Sequence, residues 1–228
     1  PLPARRLNAM PGLVTQLINL FAAFLLLLSF GLLAQRRVLS LIHLFTLQGI
    51  TLVASTSMMA FFTQQPHLYY SAALTFALKV LVIPWLLHRL LKRLDVRWDV
   101  ESLLNIPTTM LLGIVLVIFA FNLAAPISSL SASVARGTLG IALACVLLSF
   151  LMMITRTKAI AQVIGFLAME NALFFAATSA TYGMPMVVEL GIALDVLIGM
   201  VILGVFMFQI REQFDSLDIR KLERLKEE

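Results

Sequence analysis

The chain holds one cysteine, Cys145, which excludes a disulfide framework and any CxxC metal or iron–sulfur motif. Its three histidines, His43, His67 and His88, form no His-x-x-His or His-x-x-x-His pair, so nothing in the sequence supports a haem or metal centre held by this chain alone. Phosphate-binding loops, nucleophile elbows and dinucleotide fingerprints are missing as well. Charge is scarce: 13% of the 228 residues are charged and 61% are hydrophobic, with a mean hydropathy of +0.98. That composition is too apolar for a soluble domain, and the apolar runs repeatedly exceed the roughly 18 residues a membrane helix needs. The expected fold is all-α, a polytopic integral membrane protein.

What is present organises itself around these runs. Seven segments read as spans: 12–34, 38–62, 67–90, 103–125, 137–155, 159–182 and 185–210. The first is long enough to cross, lacks a small-x-small cleavage site and is followed by Arg36 and Arg37, which suits a retained helix better than a signal peptide. Seven spans put 35–37, 88–102, 156–158 and the tail after 210 on one side, and that side carries 13 of the 17 Lys and Arg residues. The positive-inside rule then places the C-terminus in the cytoplasm and the N-terminus outside. The same rule accounts for a pI of 9.8 without nucleic acid, because the basic residues lie between apolar runs instead of among aromatics. The tail over 214–228 reads either as an amphipathic surface helix for a soluble partner or as a solvated end.

Charges inside the spans are the candidate functional groups. Glu170 lies 13 residues before Gly183 and Asp195 lies 12 after it, which sets both acids about 18 to 20 Å from one surface. That depth is near the middle of a hydrocarbon core about 30 Å thick, where an ionised group needs a partner, water or a proton. Lys79 is also mid-span, with Pro84 a turn later. Burial disfavours the charged form of either acid and a neighbouring cation favours it, so a carboxylate facing Lys79 is suited to changing its protonation. A purely structural Lys–acid pair remains the alternative. Gln48 and His43 are candidates for extending a polar path, although His43 reads first as a satisfied histidine in a helix contact. Glu189, about a turn inside the outer surface, is a peripheral candidate.

The two halves of the chain align weakly. Leu47–Ser57 laid on Met169–Ser179 sets Gln48 against Glu170, and Ala77–Leu81 laid on Ala193–Leu197 sets Lys79 against Asp195. On that alignment spans 1–3 and 5–7 are two three-helix units in parallel orientation. The implied division is 1–102 with its basic loop, a connecting helix in 103–135, a second unit in 136–210 and a tail in 211–228.

The last three spans resemble the three-helix K subunit of bacterial complex I and the C subunit of Mrp-type antiporters. Glu170 in GFLAMENALFF is similar to that family's acid in its second helix, and Asp195 in ALDVLIGMVIL to the acid in its third, usually a glutamate. The whole chain, with TFALKVLVIP around Lys79 and the FDSLDIRKLERLKE tail, resembles component E of hydrogenase-4 and formate hydrogenlyase-type complexes. The resemblance implies an integral subunit of a membrane-bound group 4 [NiFe]-hydrogenase complex in a bacterial or archaeal cytoplasmic membrane. Its implied neighbours are antiporter-like and anchor subunits and a cytoplasmic hydrogenase arm. Nickel–iron and iron–sulfur centres would belong to those partners, with no cofactor in this chain. It further implies that Lys79, Asp195 and Glu170, supported by Gln48 and His43, couple electron transfer to proton or sodium-ion movement. A structural spacer and an independent small-solute or ion transporter are the competing readings.

Overall fold

The computed structural model describes residues 4–63, 66–93, 102–130, 133–181 and Gly199. The elements are α1 (Ala4–Ala34), α2 (Val38–Thr63), α3 (Pro66–Thr75), a π-helical stretch (Phe76–Val82), α4 (Ile83–Arg93), α5 (Ile106–Leu130), α6 (Ser133–Thr155) and α7 (Ala159–Thr181). No strand occurs among the described residues; Ser102 and Arg156 form an isolated antiparallel bridge. Among the described residues six segments are long and apolar enough to cross a membrane: Thr15–Ala34, Val38–Phe62, Leu68–Arg89, Ile106–Pro126, Thr138–Thr155 and Ile160–Ser179. The third of these runs unbroken through α3, the π stretch and α4. Apart from Gly199, the seventh expected span lies outside the described residues, as do the turn at 182–185, the tail, Glu189 and Asp195.

Chain direction gives the bundle two distinct ends. The links 35–37, 102–105 and 156–158 gather at one, where the Leu103 amide donates to Thr155 O at 2.9 Å. Arg36, Arg37, Arg156 and Lys158 lie in those links, so this is the basic end. Arg156 ties it together: its Nη2 donates to Leu33 O and Gln35 O, both at 2.7 Å, capping carbonyls that α1 cannot satisfy within itself. Burial, and then the nearby Arg36, hold the Arg156 guanidinium below its ordinary pKa.

Among the described elements the most extensive packing is in the α6–α7 hairpin. Gly165 permits it, because a Cβ there would sit 2.9 Å from Met153 Cγ and 3.4 Å from Ser149 O. Helix α1 lies against α2, α6 and α5, and the third span lies along α2. The apolar core divides in two. Phe45, Ile83, Leu87, Leu151, Ile164 and Leu167 belong to a cluster in the basic half. Leu25, Leu52, Leu68, Cys145 and Phe175 belong to one in the other half. Buried polar side chains, among them Ser29, Gln48, Lys79, Glu170 and Asn171, lie at the level between the two.

The π stretch has a local cause. Pro84 has no N–H for Val80 O, and its ring crowds that carbonyl. The turn before it is widened, with Ile83 N–H reaching back five residues to Leu78 O. In an ordinary helix a four-residue step overshoots a full turn by about 40°. The wider turn absorbs that excess, so Thr75, Lys79 and Ile83 all keep to the buried face.

Candidate functional site

Lys79 and Glu170 form a salt bridge across 91 residues of sequence. Their side chains are 0% and 1% exposed. The ammonium also donates to Asn171 Oδ1 at 2.8 Å, and the Phe174 ring centroid lies 5.6 Å from it, within the reach of a cation–π attraction. All three α7 partners fall within about one turn, so one helix face presents a carboxylate, an amide oxygen and an aromatic ring to one cation. The pair is about 15 to 20 Å from the basic end by helix rise, near mid-bilayer depth.

Gly49 of α2 opens the way for the lysine. A Cβ built there would lie 3.3 Å from Lys79 Cβ and 3.5 Å from Lys79 O, so the third span rests almost directly on the α2 backbone at this level. A side chain larger than a methyl group at 49 would push the lysine stem away from α7. Beside this notch Gln48 is 1% exposed and its Nε2 donates to Ser29 Oγ at 3.0 Å, joining α2 to α1. Ser29 Oγ in turn donates to Leu25 O at 2.9 Å.

Several buried polar atoms around the pair have no hydrogen-bond partner among the described residues: Gln48 Oε1, Asn171 Nδ2, Ser71 Oγ and Thr75 Oγ1. Such an atom costs about 1–3 kcal/mol relative to a satisfied one. Packing alone does not account for these positions, since Thr51, Thr56 and Thr178 nearby return their hydroxyls to carbonyls of their own helices at 2.9 Å.

The sequence candidates therefore separate. Lys79 and Glu170 meet, and Gln48 lies one residue from the glycine that Lys79 crosses. His43 lies elsewhere: it is exposed, and its ring stands edge-on to His88 at 5.8 Å. The His88 Nδ1 is 3.1 Å from Pro84 O. No third metal-ligating side chain joins these two among the described residues. Sequence reasoning did not single out Gly49, Ser29, Ser71, Thr75 or Arg156. The spacing of Ser71, Thr75 and Lys79, each four residues apart, was the available signal for a polar stripe; nothing local marked Gly49 or Arg156.

Fold and site together define a helical, membrane-embedded protein with a buried ion pair at mid-depth. The chain is 30% identical over 212 residues to the uncharacterized protein Rv0085 of Mycobacterium tuberculosis, covering 92% of this chain and 96% of that one. It belongs to the same family as that protein. It is also a distant homologue of hydrogenase-4 component E of Escherichia coli K12, 22% identical over 213 residues, 93% of this chain and 98% of the other. The Shigella flexneri component E gives the same values. No family model matches the chain, and no solved structure matches it.

Proposed function

We propose that this chain is an integral membrane subunit of a complex I-related hydrogenase complex, and that its Lys79–Glu170 pair helps couple electron transfer in partner subunits to proton or sodium-ion movement. The observation that carries the reading is the position of the pair: two opposite charges, fully buried at mid-bilayer depth, bridging the third span to α7. A charge there is costly and is a functional candidate by default. The distant homology to hydrogenase-4 component E supports the assembly. The likeness of the Glu170 segment to the K subunit of complex I and the C subunit of Mrp-type antiporters supports the coupling role. On this reading Asp195 and Gln48 continue the line of polar groups. Antiporter-like and anchor subunits flank the chain, and the nickel–iron and iron–sulfur centres lie in the partners. The basic end faces the cytoplasm, where the hydrogenase arm docks.

In chemical terms, a passing cation that competes with Lys79 for the Glu170 carboxylate gives the ion pair a second state. Asn171 and Phe174 keep the ammonium solvated while the carboxylate is engaged elsewhere. A second reading is favoured by the same geometry: the two charges neutralise each other and fix helix register, which makes the subunit a spacer.

The deciding experiment is ion translocation by the isolated complex in sealed vesicles, parent against Glu170→Gln, at equal subunit content and equal hydrogen-forming activity. Glutamine keeps an acceptor for Lys79 and removes the charge. Electron transfer with a lost ion gradient supports coupling; an unchanged gradient leaves the spacer.

A further inference from the structure

Buried polar residues on the three elements around the ion pair are distributed on one side of it only. On α2 they are Gln48, Thr51, Ser55 and Thr56; on the third span Ser71, Thr75 and Lys79; on α7 Glu170, Asn171, Thr178 and Ser179. Every one lies level with the pair or between it and the end opposite the basic links. In the other direction the described buried positions of α2, α4 and α7 are all apolar, and they contribute to one cluster that includes Phe45, Ile83, Leu87 and Leu167.

The four atoms without partners make the asymmetry more pointed. Ser71 and Thr75 stand two turns and one turn from Lys79 on its own buried face, at 0% and 1% exposure, and neither hydroxyl returns to its own helix. Gln48 adjoins Gly49, the α2 residue that Lys79 crosses, and Asn171 on α7 holds the ammonium through its Oδ1; their Oε1 and Nδ2 have no partner among the described residues. Together they supply hydroxyls, an acceptor and a donor in sequence toward the pair, which is the mixture a file of water molecules needs.

We infer that Ser71, Thr75, Gln48 and Asn171 line an aqueous access to the Lys79–Glu170 pair from the end opposite the basic links, and that the Phe45, Ile83, Leu87 and Leu167 layer seals the pair from the basic end. The four atoms are closed off from solvent here, so this is the shut state of the path. Their lost hydrogen bonds favour a state in which water reaches them. The inference rests on the pair being the ion-exchanging element, and it adds a direction: exchange with one side of the membrane only, the other contact being supplied by partners.

The test uses the full chain in its complex, in sealed vesicles of each orientation, with Cys145→Ala removing the native thiol. Thr75→Cys and Leu87→Cys are exposed to a small membrane-impermeant sulfonated methanethiosulfonate, which reacts with thiols in water. The expected result is labelling of Thr75→Cys only from the face opposite the basic links and no labelling of Leu87→Cys from either face. Thr75→Cys silent from both faces, or reactive from the basic face, overturns the inference; so does a reactive Leu87→Cys. Ser71→Cys serves the same purpose if Thr75→Cys does not assemble. One-sided labelling combined with normal pumping by Glu170→Gln would retain the access and remove the coupling role. Silent thiols combined with lost pumping would do the reverse.

Discussion

Replacing Glu170 by leucine leaves the Lys79 ammonium in a site with no exposure to solvent. Among the described residues Asn171 Oδ1 and the Phe174 ring also meet the ammonium, and neither carries the opposite charge. Breaking one side of a buried pair costs about 3–5 kcal/mol. An independent ceiling agrees: an ordinary lysine can escape by giving up its proton, about 3.4 pH units at about 1.36 kcal/mol each at neutral pH, or about 4.6 kcal/mol. The reciprocal change, Lys79→Met, has a lower ceiling, because neutralising an ordinary glutamate costs about 3.7 kcal/mol. Removing both charges leaves an apolar contact of similar volume, which is often neutral for stability. At about 2–4 °C per kcal/mol for a chain of this size, Glu170→Leu should lower the thermal midpoint by about 10 °C. Lys79→Met should lower it somewhat less, and the double variant should recover most of the loss. The assay is helical circular dichroism of the full-length chain in detergent. A midpoint shift below about 2 °C for Glu170→Leu, or a double variant equal to the sum of the singles, would refute the argument that the two charges hold each other in place.

Two further changes test the supporting geometry. Gly49→Leu should separate the third span from α2 and abolish ion movement as fully as loss of Glu170, because its side chain occupies the space of the Lys79 stem. Gly49→Ala should be mild, since the 3.3 Å contact needs a shift of only a few tenths of an ångström; equal pumping by parent and leucine variants would sink the notch. Arg156→Leu should expose the Leu33 and Gln35 carbonyls and lower stability by about 1–3 kcal/mol. Hydrogen exchange at the start of α2 and the end of α1 should quicken, and unchanged protection would show that the cap is dispensable.

Hydropathy and the order of charges were enough to establish an all-α membrane protein, because backbone groups in hydrocarbon must be satisfied within each segment and only a long apolar helix does so. Six of the expected spans recur within a few residues of their predicted ends. Intramembrane charge is rare enough that Lys79 and Glu170 stood out by position alone. Their partnership did not, because 91 residues separate them and sequence offers Lys79 more than one acid. Tertiary packing brings Glu170 to it: the third span rests on Gly49, and α7 turns Glu170, Asn171 and Phe174 toward the same cation. His43 shows the opposite case. Five residues from Gln48 on one helix, it faces another direction, since five steps of about 100° carry a side chain well off the first face. The one-sided distribution of buried hydroxyls is written in the sequence residue by residue, but only burial separates Ser71 and Thr75 from the serines and threonines on exposed faces. Sequence therefore determined the elements and the groups that are costly to bury, which depend on local composition. The structure alone decided which of those groups meet and from which end they are reached, because both depend on how distant helices pack.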